Sequence, residues 1–359
     1  MSQTEVAVGL AGVGYWGAKL ARNLQEIGSC RFAAVADPDD TRAMDVAGRY
    51  PDARPFGSLD DMLASDEIEA VVLATPAADH HRHVVKALAA GKHVFVEKPL
   101  ALSSVDGEEL VAAAERAGRT LMVGHTFLYS EAVRLLRRLI HDGELGCPLY
   151  VYGSRLNLGV IREDLNAWWN FGPHDVAILL HLLGEVPVSV SARQFNLLDR
   201  RLQDVAFVVL EFPSGVVGHI HTSWLDPRKV RQMTVVGRDK MAVYDDMDTE
   251  SPLRIYDKGV TQFSDTIDVD ALAASAGRES FGEFKLRVRA GGMVAPRVEP
   301  REPLRTEIEH FLDCVRTGGR PLTDGRHGLD VVRVLEAAER SAAENGAAVP
   351  VAGTTVLTP

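Results

Sequence analysis

Short apolar runs alternate with amphipathic segments along the first third of the chain. Each run has the length of a buried strand, and each segment has the periodicity of a helix with one apolar face. Alternation of this kind forms βαβ units with parallel strands, and right-handed crossovers place the helices on both faces of the sheet. The predicted strands are Val6–Leu10, Phe32–Ala36, Ala70–Ala74, His93–Val96 and Leu121–Val123, and the predicted helices are Lys19–Ile27, Thr41–Arg49, Leu59–Ala64, His83–Ala90 and Gly107–Ala117.

The pattern changes after Phe127, where strand-like segments follow one another with short connections. Pro213, Ser214 and Gly215 are a hairpin turn signal, so this part predicts a mostly antiparallel sheet. Residues 245–300 carry many charges and glycines, which favours an arm or a long loop region. The predicted strands are Leu149–Ser154, Val186–Phe195, Val205–Phe212, Val216–Trp224, Val230–Val236 and Met241–Tyr244, and the predicted helices after them are Leu304–Arg316 and Gly328–Ala343.

These patterns predict an α/β protein of two domains. Residues 1–125 would form an N-terminal doubly wound parallel (Rossmann) sheet, and residues 126–359 a C-terminal α+β domain with a large, mostly antiparallel open sheet. A length of 359 residues also exceeds that of most single domains. The two C-terminal helices could pack back on the first domain.

Composition and charge narrow the class of protein. The chain has 39 basic and 50 acidic residues, a net charge of −11 and no Lys/Arg-rich run, so nucleic acid is not an expected partner. No apolar segment is long enough for a membrane span, and residues 1–5 lack the layout of a signal peptide. Cys30, Cys147 and Cys314 are far apart and odd in number, so we expect reduced thiols in a cytoplasmic protein, with one reactive thiol as the alternative.

A glycine-rich motif, Gly12-Val13-Gly14-Tyr15-Trp16-Gly17, lies between the first strand and the first helix. In the dinucleotide-binding fingerprint the first glycine permits a tight turn, the second lets the backbone approach the pyrophosphate, and the third lets helix and strand pack closely. A glycine-rich turn without this purpose is the alternative. No P-loop motif is present.

Asp37 follows the second strand, 20 residues after Gly17. A carboxylate at this place accepts hydrogen bonds from the adenosine ribose and repels a 2′-phosphate, which favours NAD over NADP. The neighbouring Arg42 keeps NADP as the less favoured alternative. Asp37 could instead cap a helix or stabilise a turn.

Glu97-Lys98-Pro99 follows the fifth predicted strand. Ligands of open α/β sheets bind at the carboxyl ends of the strands, so Lys98 would point towards the nicotinamide. A lysine whose pKa is lowered by burial can transfer the proton that accompanies hydride transfer, or stabilise an oxyanion. A surface lysine paired with Glu97 is the alternative.

Several motifs together resemble the glucose–fructose oxidoreductase / inositol dehydrogenase (Gfo/Idh/MocA) family. They are the glycine motif, Thr75-Pro76 with His80, Ala90-Gly91-Lys92-His93-Val94 before Glu97-Lys98-Pro99, and Pro303-Leu304 with Glu307, His310 and Phe311, so the resemblance covers nearly the whole chain. It implies a Rossmann fold and sugar oxidoreduction. The predicted cofactor-binding residues are Gly12, Gly14, Tyr15, Trp16, Gly17, Asp37, Thr75, Pro76, His80, Glu97, Lys98 and His125.

The resemblance also implies a D-x-x-x-H motif on the first long helix of the second domain. His174 matches the histidine, whereas Asn170 occupies the place of the aspartate and cannot take a proton. The predicted catalytic residues are therefore Lys98, His174 and Asn170, with Asp175 orienting the imidazole; the alternative for His174 is a capping or substrate-positioning residue. His80, His81 and His83 lack an evident carboxylate or cysteine partner, so no metal is predicted.

Four segments resemble the branch of the family that acts on nucleotide-linked sugars, often at the 3-position: Arg155–Gly159, Gly172–Asp175, Tyr244–Met247 and Ile255–Val260. Arg155 and Asn157 could bind hydroxyls, a carboxylate or a phosphate. Trp168 and Trp169 could line a ring-binding surface, or could be core residues. The predicted substrate-binding residues are Lys98, Arg155, Asn157, Trp169, Asn170 and His174.

The predicted function is hydride transfer between NAD and a ring hydroxyl or ketone of a sugar, which is expected to be nucleotide-linked. A non-catalytic NAD- or sugar-sensing protein and an NAD-dependent glycoside hydrolase remain alternatives, because one fold can carry several functions. Family resemblance suggests that another subunit covers the open sheet, so we expect a homodimer or homotetramer.

Overall fold

The first sheet has six parallel strands in the order β3-β2-β1-β4-β5-β6. The computed structural model describes residues 5–159, 161–198, 201–262 and 286–353. This strand order is that of a doubly wound dinucleotide-binding sheet, which confirms the predicted fold class. The short edge strand β3 was not predicted. The strands are β1 (Val6–Ala11), β2 (Cys30–Ala36), β3 (Arg54–Phe56), β4 (Ala70–Leu73), β5 (His93–Glu97) and β6 (Leu121–Gly124).

Five helices connect these strands and bury their apolar faces against the sheet. Polar side chains start three of them: Asp39 accepts from the Arg42 N–H, Ser58 from the Asp61 N–H and Ser103 from the Asp106 N–H. These caps fix where each helix leaves its loop. The helices are α1 (Gly17–Glu26), α2 (Asp40–Ala47), α3 (Leu59–Leu63), α4 (His80–Ala89) and α5 (Ser104–Ala117).

The second sheet has nine described strands in the order β14-β13-β12-β11-β7-β10-β9-β8-β15. All of its described pairs are antiparallel except the pair of β7 and β10, which is parallel. This confirms a mostly antiparallel open sheet. The strands are β7 (Pro148–Leu156), β8 (Ser189–Phe195), β9 (Val205–Glu211), β10 (Val217–Ser223), β11 (Val230–Gly237), β12 (Met241–Asp245), β13 (Leu253–Gln262), β14 (Leu286–Val294) and β15 (Val349–Pro350).

The prediction of an arm or loop over residues 245–300 is wrong in part. Strands β13 and β14 pair with each other and extend the sheet beyond β12. Leu253 and Ile255 of β13, and Leu286 and Val288 of β14, alternate with arginines, a strand pattern that the prediction did not use. Residues 263–285 of this stretch lie outside the described residues.

Four more helices complete the described structure. Helix α9 (Gly325–Ala343) packs against α5 and β6 of the first sheet layer and also against α7 (Ala167–Leu183) and β8 of the second. Helix α8 reaches the first sheet, where the Phe311 ring meets the Phe95 ring edge-on at a centroid distance of 5.8 Å. Both C-terminal helices therefore pack back on the first domain. The helices are α6 (Glu131–His141), α7 (Ala167–Leu183), α8 (Pro303–Thr317) and α9 (Gly325–Ala343).

Cys30 and Cys314 are buried, Cys147 is exposed, and all three thiols are free. No helix in the described part of the chain is long and apolar enough to cross a membrane.

Phe311→Ala should destabilise the first domain, although the residue comes from the far end of the chain. Phe311 is fully buried, and truncation of a buried phenylalanine costs about 3–5 kcal/mol of the free energy of unfolding. Urea unfolding measures this loss. Val105→Ala is the control, because Val105 is 74% exposed and its truncation should cost under about 0.5 kcal/mol. Equal midpoints for the two variants would contradict the packing role of α8.

Candidate active site between the two sheets

A cavity of about 1080 Å³ runs along the carboxyl ends of the first sheet and is closed on its other side by the second domain. One end of the cavity and its floor are lined by the glycine motif, Asp37 and Thr75-Pro76. The part that faces the second sheet is lined by Lys98, Phe127 and His174. Because the carboxyl edge of such a sheet is where its ligands bind, this cavity is the candidate active site.

The glycine motif has the geometry that a tight strand-to-helix turn requires. Gly12 has a φ of +85°, and a Cβ on it would meet the Ala74 carbonyl oxygen at 2.6 Å. A Cβ on Gly17 would overlap the Gly12 carbonyl oxygen. A Cβ on Gly14 would meet nothing within 4 Å, so this part of the loop faces open space. The first and third glycines are therefore needed for packing, whereas the second leaves room for a ligand.

Two aromatic side chains extend from this turn. Tyr15 is 82% exposed and Trp16 is partly buried, and the Lys19 ammonium lies 4.5 and 4.9 Å from their ring centroids. The Trp16 indole N–H donates a hydrogen bond to a Glu97 carboxylate oxygen. The glycine turn is thus tied directly to the Glu-Lys-Pro segment.

Asp37 is buried and holds the glycine turn from the end of β2. Its Oδ2 accepts from the Val13 N–H at 2.9 Å, and its Oδ1 accepts from the Asp39 N–H at 3.0 Å. Asp39, not Asp37, caps helix α2, so the capping alternative for Asp37 is wrong. The Arg42 guanidinium donates a third, longer hydrogen bond to Asp37 Oδ1, at 3.5 Å. A carboxylate has about four acceptor positions, so one remains for a ribose hydroxyl.

Lys98 is half-buried at the end of β5 and reaches across to helix α7. Its Nζ donates to the backbone carbonyl of Asn170 at 3.0 Å, while the Glu97 carboxylate bonds to Trp16 and to the Lys98 backbone N–H. Burial lowers the pKa of Lys98 below its ordinary value of 10.5, although Glu97 opposes this shift. Burial likewise raises the pKa of Glu97. Lys98 is therefore not a surface lysine, and its ammonium can lose a proton more easily than a free one.

His174 lines the same part of the cavity, one helical turn after Asn170. Its ring meets the Phe127 ring edge-on at a centroid distance of 4.9 Å. Burial, and then the positive charges of Lys98 and Arg155, hold the pKa of His174 well below its usual range, so its imidazole is neutral. Its Nδ1 is buried and has no hydrogen-bond partner among the residues that the structure describes.

Asp175 does not orient this imidazole, so that prediction is wrong. Its two carboxylate oxygens accept from the Arg155 guanidinium at 2.7 and 3.1 Å, and both residues are buried. The same guanidinium stacks over the Phe127 ring, 4.4 Å from its centroid. Arg155 therefore supports the cavity wall from behind, and we revise its predicted substrate contact accordingly.

Two other predicted substrate residues lie away from this cavity. Trp169 lines a second cavity, of about 550 Å³, together with Leu165 and Glu339. Its neighbour Trp168 is a core residue that donates to the Leu335 carbonyl at 3.2 Å. Asn157 is half-buried and lines neither cavity; its backbone N–H pairs with the Ser223 carbonyl.

The predicted cofactor residues of the first sheet differ in their placement. Thr75 and Pro76 form part of the cavity wall. His80 lines it too, but its ring nitrogens lie 2.7 and 3.0 Å from the carbonyl oxygens of Pro99 and Thr75, so it mainly holds two loops together. His125 is buried outside the wall, where its ring meets the His327 ring at 5.2 Å, which does not favour a cofactor contact.

Five residues of this region had no predicted role. Four of them line the cavity: Phe127, Arg162, Lys229 and Arg231. Phe127 contacts His174, Arg162 acts electrostatically on Lys98, and Arg231 acts on His174. Glu307 lies behind Glu97: its carboxyl is fully buried, accepts from the Thr126 hydroxyl at 2.6 Å, and has a pKa raised by burial and by Glu97. Lys229 directly precedes β11 and Arg231 is its second residue, so their shared place on the cavity wall depends on how β11 packs in the fold.

Metal ligands are not grouped here. Within the described ranges, no three His, Cys, Asp or Glu side chains are arranged so that they could hold a metal ion.

Two domain descriptions of one family match the chain. The description "Oxidoreductase family, NAD-binding Rossmann fold" matches residues 6–125, and "GFO/IDH/MocA C-terminal domain" matches residues 133–243. The chain belongs to the Gfo/Idh/MocA oxidoreductase family. This confirms the resemblance, and it confirms NAD as the cofactor of the first domain.

Similar members of the Gfo/Idh/MocA family carry different activities in their names. The 2,7-anhydro-N-acetylneuraminate hydratase of Escherichia coli (strain K12) is 33% identical over 221 residues, 58% of this chain and 59% of that protein. The structure of UDP-N-acetylglucosamine 3-dehydrogenase GnnA from Acidithiobacillus ferrooxidans is 25% identical with a TM-score of 0.76, covering 94% of this chain and 97% of that one. GenD2 from gentamicin A biosynthesis, solved in complex with NAD, is 26% identical with a TM-score of 0.79, covering 98% and 97%. The chain thus spans about three fifths of the length of the hydratase.

The first domain of this Gfo/Idh/MocA protein fits NAD. The loop at Gly14 is open to the cavity, and no side chain caps the N-terminus of α1, which leaves backbone N–H groups for a pyrophosphate. Asp37 keeps one acceptor position for the ribose at the other end. These residues would hold the dinucleotide so that its nicotinamide extends towards Lys98.

Asp37→Asn should weaken the binding of NAD and reduce the preference of the protein for NAD over NADP. The amide keeps one acceptor for the Val13 N–H but removes the charge that repels a 2′-phosphate. Fluorescence titration with NADH and NADPH gives both dissociation constants, and we expect their ratio to fall by about tenfold. Asp39→Asn, at the exposed cap of α2, is the matched control. An unchanged ratio in Asp37→Asn would mean that the acid does not select the cofactor.

Proposed function

We propose that the protein is an NAD-dependent oxidoreductase that transfers a hydride between nicotinamide and a ring hydroxyl or ketone of a sugar. The observation that supports this most is the convergence of two groups. The Lys98 amine and the His174 imidazole reach the same part of a cavity that begins at the glycine turn. A base and a neutral hydrogen-bonding group beside the expected nicotinamide site match the needs of alcohol oxidation.

Bound NAD supplies the hydride acceptor, and this chain's residues handle the proton. Neutral Lys98 takes the proton from the substrate hydroxyl during oxidation, and its ammonium returns it during reduction. The His174 imidazole, neutral because it is buried among cations, holds the same oxygen by a hydrogen bond. Asn170 contributes its carbonyl to Lys98 and cannot act as a base, so the proton transfer rests on Lys98 and His174.

The narrower proposal is a nucleotide-linked sugar, with reaction at the 3-position. The branch motifs at Gly172–Asp175 and Tyr244–Met247 support it. So does the likeness over nearly the whole chain to a protein named UDP-N-acetylglucosamine 3-dehydrogenase.

A second candidate is a reaction without net oxidation. The relative named as a hydratase is 33% identical, and a hydratase adds water without changing the redox balance of its substrate. The NAD-dependent glycoside hydrolase considered above shares this property, because a transient oxidation would be reversed within one turnover. A sensing protein without catalysis is the third candidate.

Incubation with NAD and a panel of UDP-sugars, TDP-sugars and free polyols separates these functions. A rise in absorbance at about 340 nm, where NADH absorbs, supports the dehydrogenase. Hydration of the substrate or release of free sugar, monitored by chromatography and without net formation of NADH, supports the second candidate. Binding without any chemical change would contradict both catalytic proposals.

Lys98→Met should remove turnover and leave NAD binding nearly intact. The methionine has a similar length but no ionisable group, and loss of a general acid–base typically costs about 10²–10⁴-fold in rate. Initial rates and NADH titration measure the two effects. Lys92→Met is the matched control: Lys92 ends the turn after α4 and donates to the carbonyls of Ser65 and Ile68. An unchanged kcat in Lys98→Met would exclude this lysine from the mechanism.

The oxidation rate should rise with pH and level off below the ordinary pKa of lysine. Oxidation needs the neutral amine, and burial lowers the pKa of Lys98, so the active form dominates at a lower pH than for an exposed lysine. A pH profile of kcat/KM between about pH 6 and 10 measures the inflection. A falling profile over this range would contradict Lys98 as the base.

We also propose a homodimer or homotetramer formed through the outer face of the second sheet. This face carries exposed apolar side chains that a monomer would leave in water. Phe207 stacks on His221 there, with ring centroids 4.4 Å apart. The exposed side chains include Tyr150, Tyr152, Phe207, Val209 and Val217.

Light scattering coupled to gel filtration should give the mass of two or four chains. Phe207→Glu should shift the mass towards one chain, because it places a charge in the centre of the apolar face. Val105→Glu, on the exposed side of α5, should leave the mass unchanged. A monomeric wild-type protein would contradict the proposal.

A further inference from the structure

The charges on the second-domain side of the active-site cavity differ in sign from the protein as a whole. The chain has a net charge of −11. The second domain, however, lines the cavity with Arg162, Lys229 and Arg231 against the single acid Asp164. A cleft lined by one sign of charge attracts ligands of the opposite sign, even in a protein of the same overall sign as the ligand.

Lys229 and Arg231 carry the inference because they reach the cavity together. Lys229 directly precedes β11 and Arg231 is the second residue of that strand, and both side chains line the cavity. The Arg231 guanidinium lies 5.7 Å from the Phe127 ring centroid, and Phe127 in turn packs on His174. Arg231 therefore borders the place where the reacting hydroxyl would lie, and both cations act electrostatically on Tyr15 of the glycine turn.

These two side chains retain donors for a ligand. Lys229 is exposed and forms no ion pair within the described part of the chain. Arg231 donates from Nη1 to Asp246 at 3.0 Å, which leaves its Nε and Nη2 hydrogens. Arg162 differs, because Asp164 holds its guanidinium by two bonds of 2.7 and 2.6 Å. We therefore assign the binding to Lys229 and Arg231, with Arg162 as a neutralised neighbour.

The surroundings of His174 point the same way. The charged side chains that act on this imidazole are Lys98, Arg155 and Arg231, and each of them is cationic. Arg155 is compensated by Asp175, and Arg231 contacts Asp246, whereas Lys98 is opposed by Glu97, a carboxyl that burial disfavours as an anion, and by Asp164. Lys229 is therefore the second-domain cation of the described cavity wall that has no acidic partner, and an anionic group on the substrate would supply one.

We propose that the sugar substrate carries an anionic group, a phosphate ester or a carboxylate, bound by Lys229 and Arg231 on the second-domain side of the active-site cavity. This inference rests on the proposed function and narrows its substrate class. The same cations would disfavour amino sugars with a free ammonium group, because like charges within a cleft repel.

Isothermal titration calorimetry on the protein saturated with NADH tests the proposal. UDP is the probe for a phosphate ester, D-glucuronate the probe for a carboxylate, and D-glucose the neutral reference. We expect one or both anions to bind at least about tenfold more tightly than glucose, with an affinity that falls as salt is added. Preference for UDP identifies phosphate as the group, and preference for glucuronate identifies carboxylate.

Lys229→Gln should lower the affinity for the preferred anion by about tenfold and leave the affinity for NADH unchanged. Lys86→Gln is the matched control: Lys86 lines the same cavity far from Lys98 and bonds to Asp60. Anions that bind no better than glucose, or equal losses in the two variants, would overturn the proposal. So would a loss of NADH affinity in Lys229→Gln, which would assign these cations to the dinucleotide. A different result, the absence of any turnover, would contradict the proposed oxidoreductase function. The binding experiment is independent of it, because binding requires no turnover.

Discussion

The hydrogen bond from the Lys98 ammonium to the Asn170 carbonyl is the constraint on which the active site depends. It joins the end of β5 in the first sheet to the first turns of α7 in the second domain. Glu97, next to Lys98, accepts from Trp16 of the glycine turn, so the glycine turn, Lys98 and helix α7 form one connected unit. Because each partner is at least partly buried, a shift of one domain would leave polar groups unpaired, at a cost of about 1–3 kcal/mol each.

The electrostatics of the site follow from this burial. Lys98 and Glu97 share a small volume, and burial disfavours the charged form of each, which brings their pKa values closer together. Glu307 behind them is buried as well, and burial and then Glu97 raise its pKa, which disfavours its charged form; its carboxyl accepts a hydrogen bond from the Thr126 hydroxyl. The buried pair of Arg155 and Asp175 is a different case, since its bidentate geometry compensates both charges and fixes the Phe127 wall.

The sequence predicted the parts of the site that are local along the chain. The glycine turn, Asp37 and Lys98 each follow a buried strand directly, so the strand end itself sets their position. Side chains of the second domain were harder, because their direction depends on packing. On α7, Trp169 and His174 are five residues apart and thus about 140° apart around the helix, so only one of them can face the cavity. Arg155 was misplaced because its partner Asp175, 20 residues away in sequence, becomes visible only in the fold.

A crystal structure of the protein with NADH tests the central claim most directly. The account predicts that the pyrophosphate lies against the glycine turn and that C4 of the nicotinamide faces the space between Lys98 Nζ and the His174 ring. A substrate carbon placed there would lie within about 3–3.5 Å of C4, the distance that hydride transfer requires. A dinucleotide bound in the cavity beside Trp169, or a nicotinamide turned away from Lys98, would contradict it.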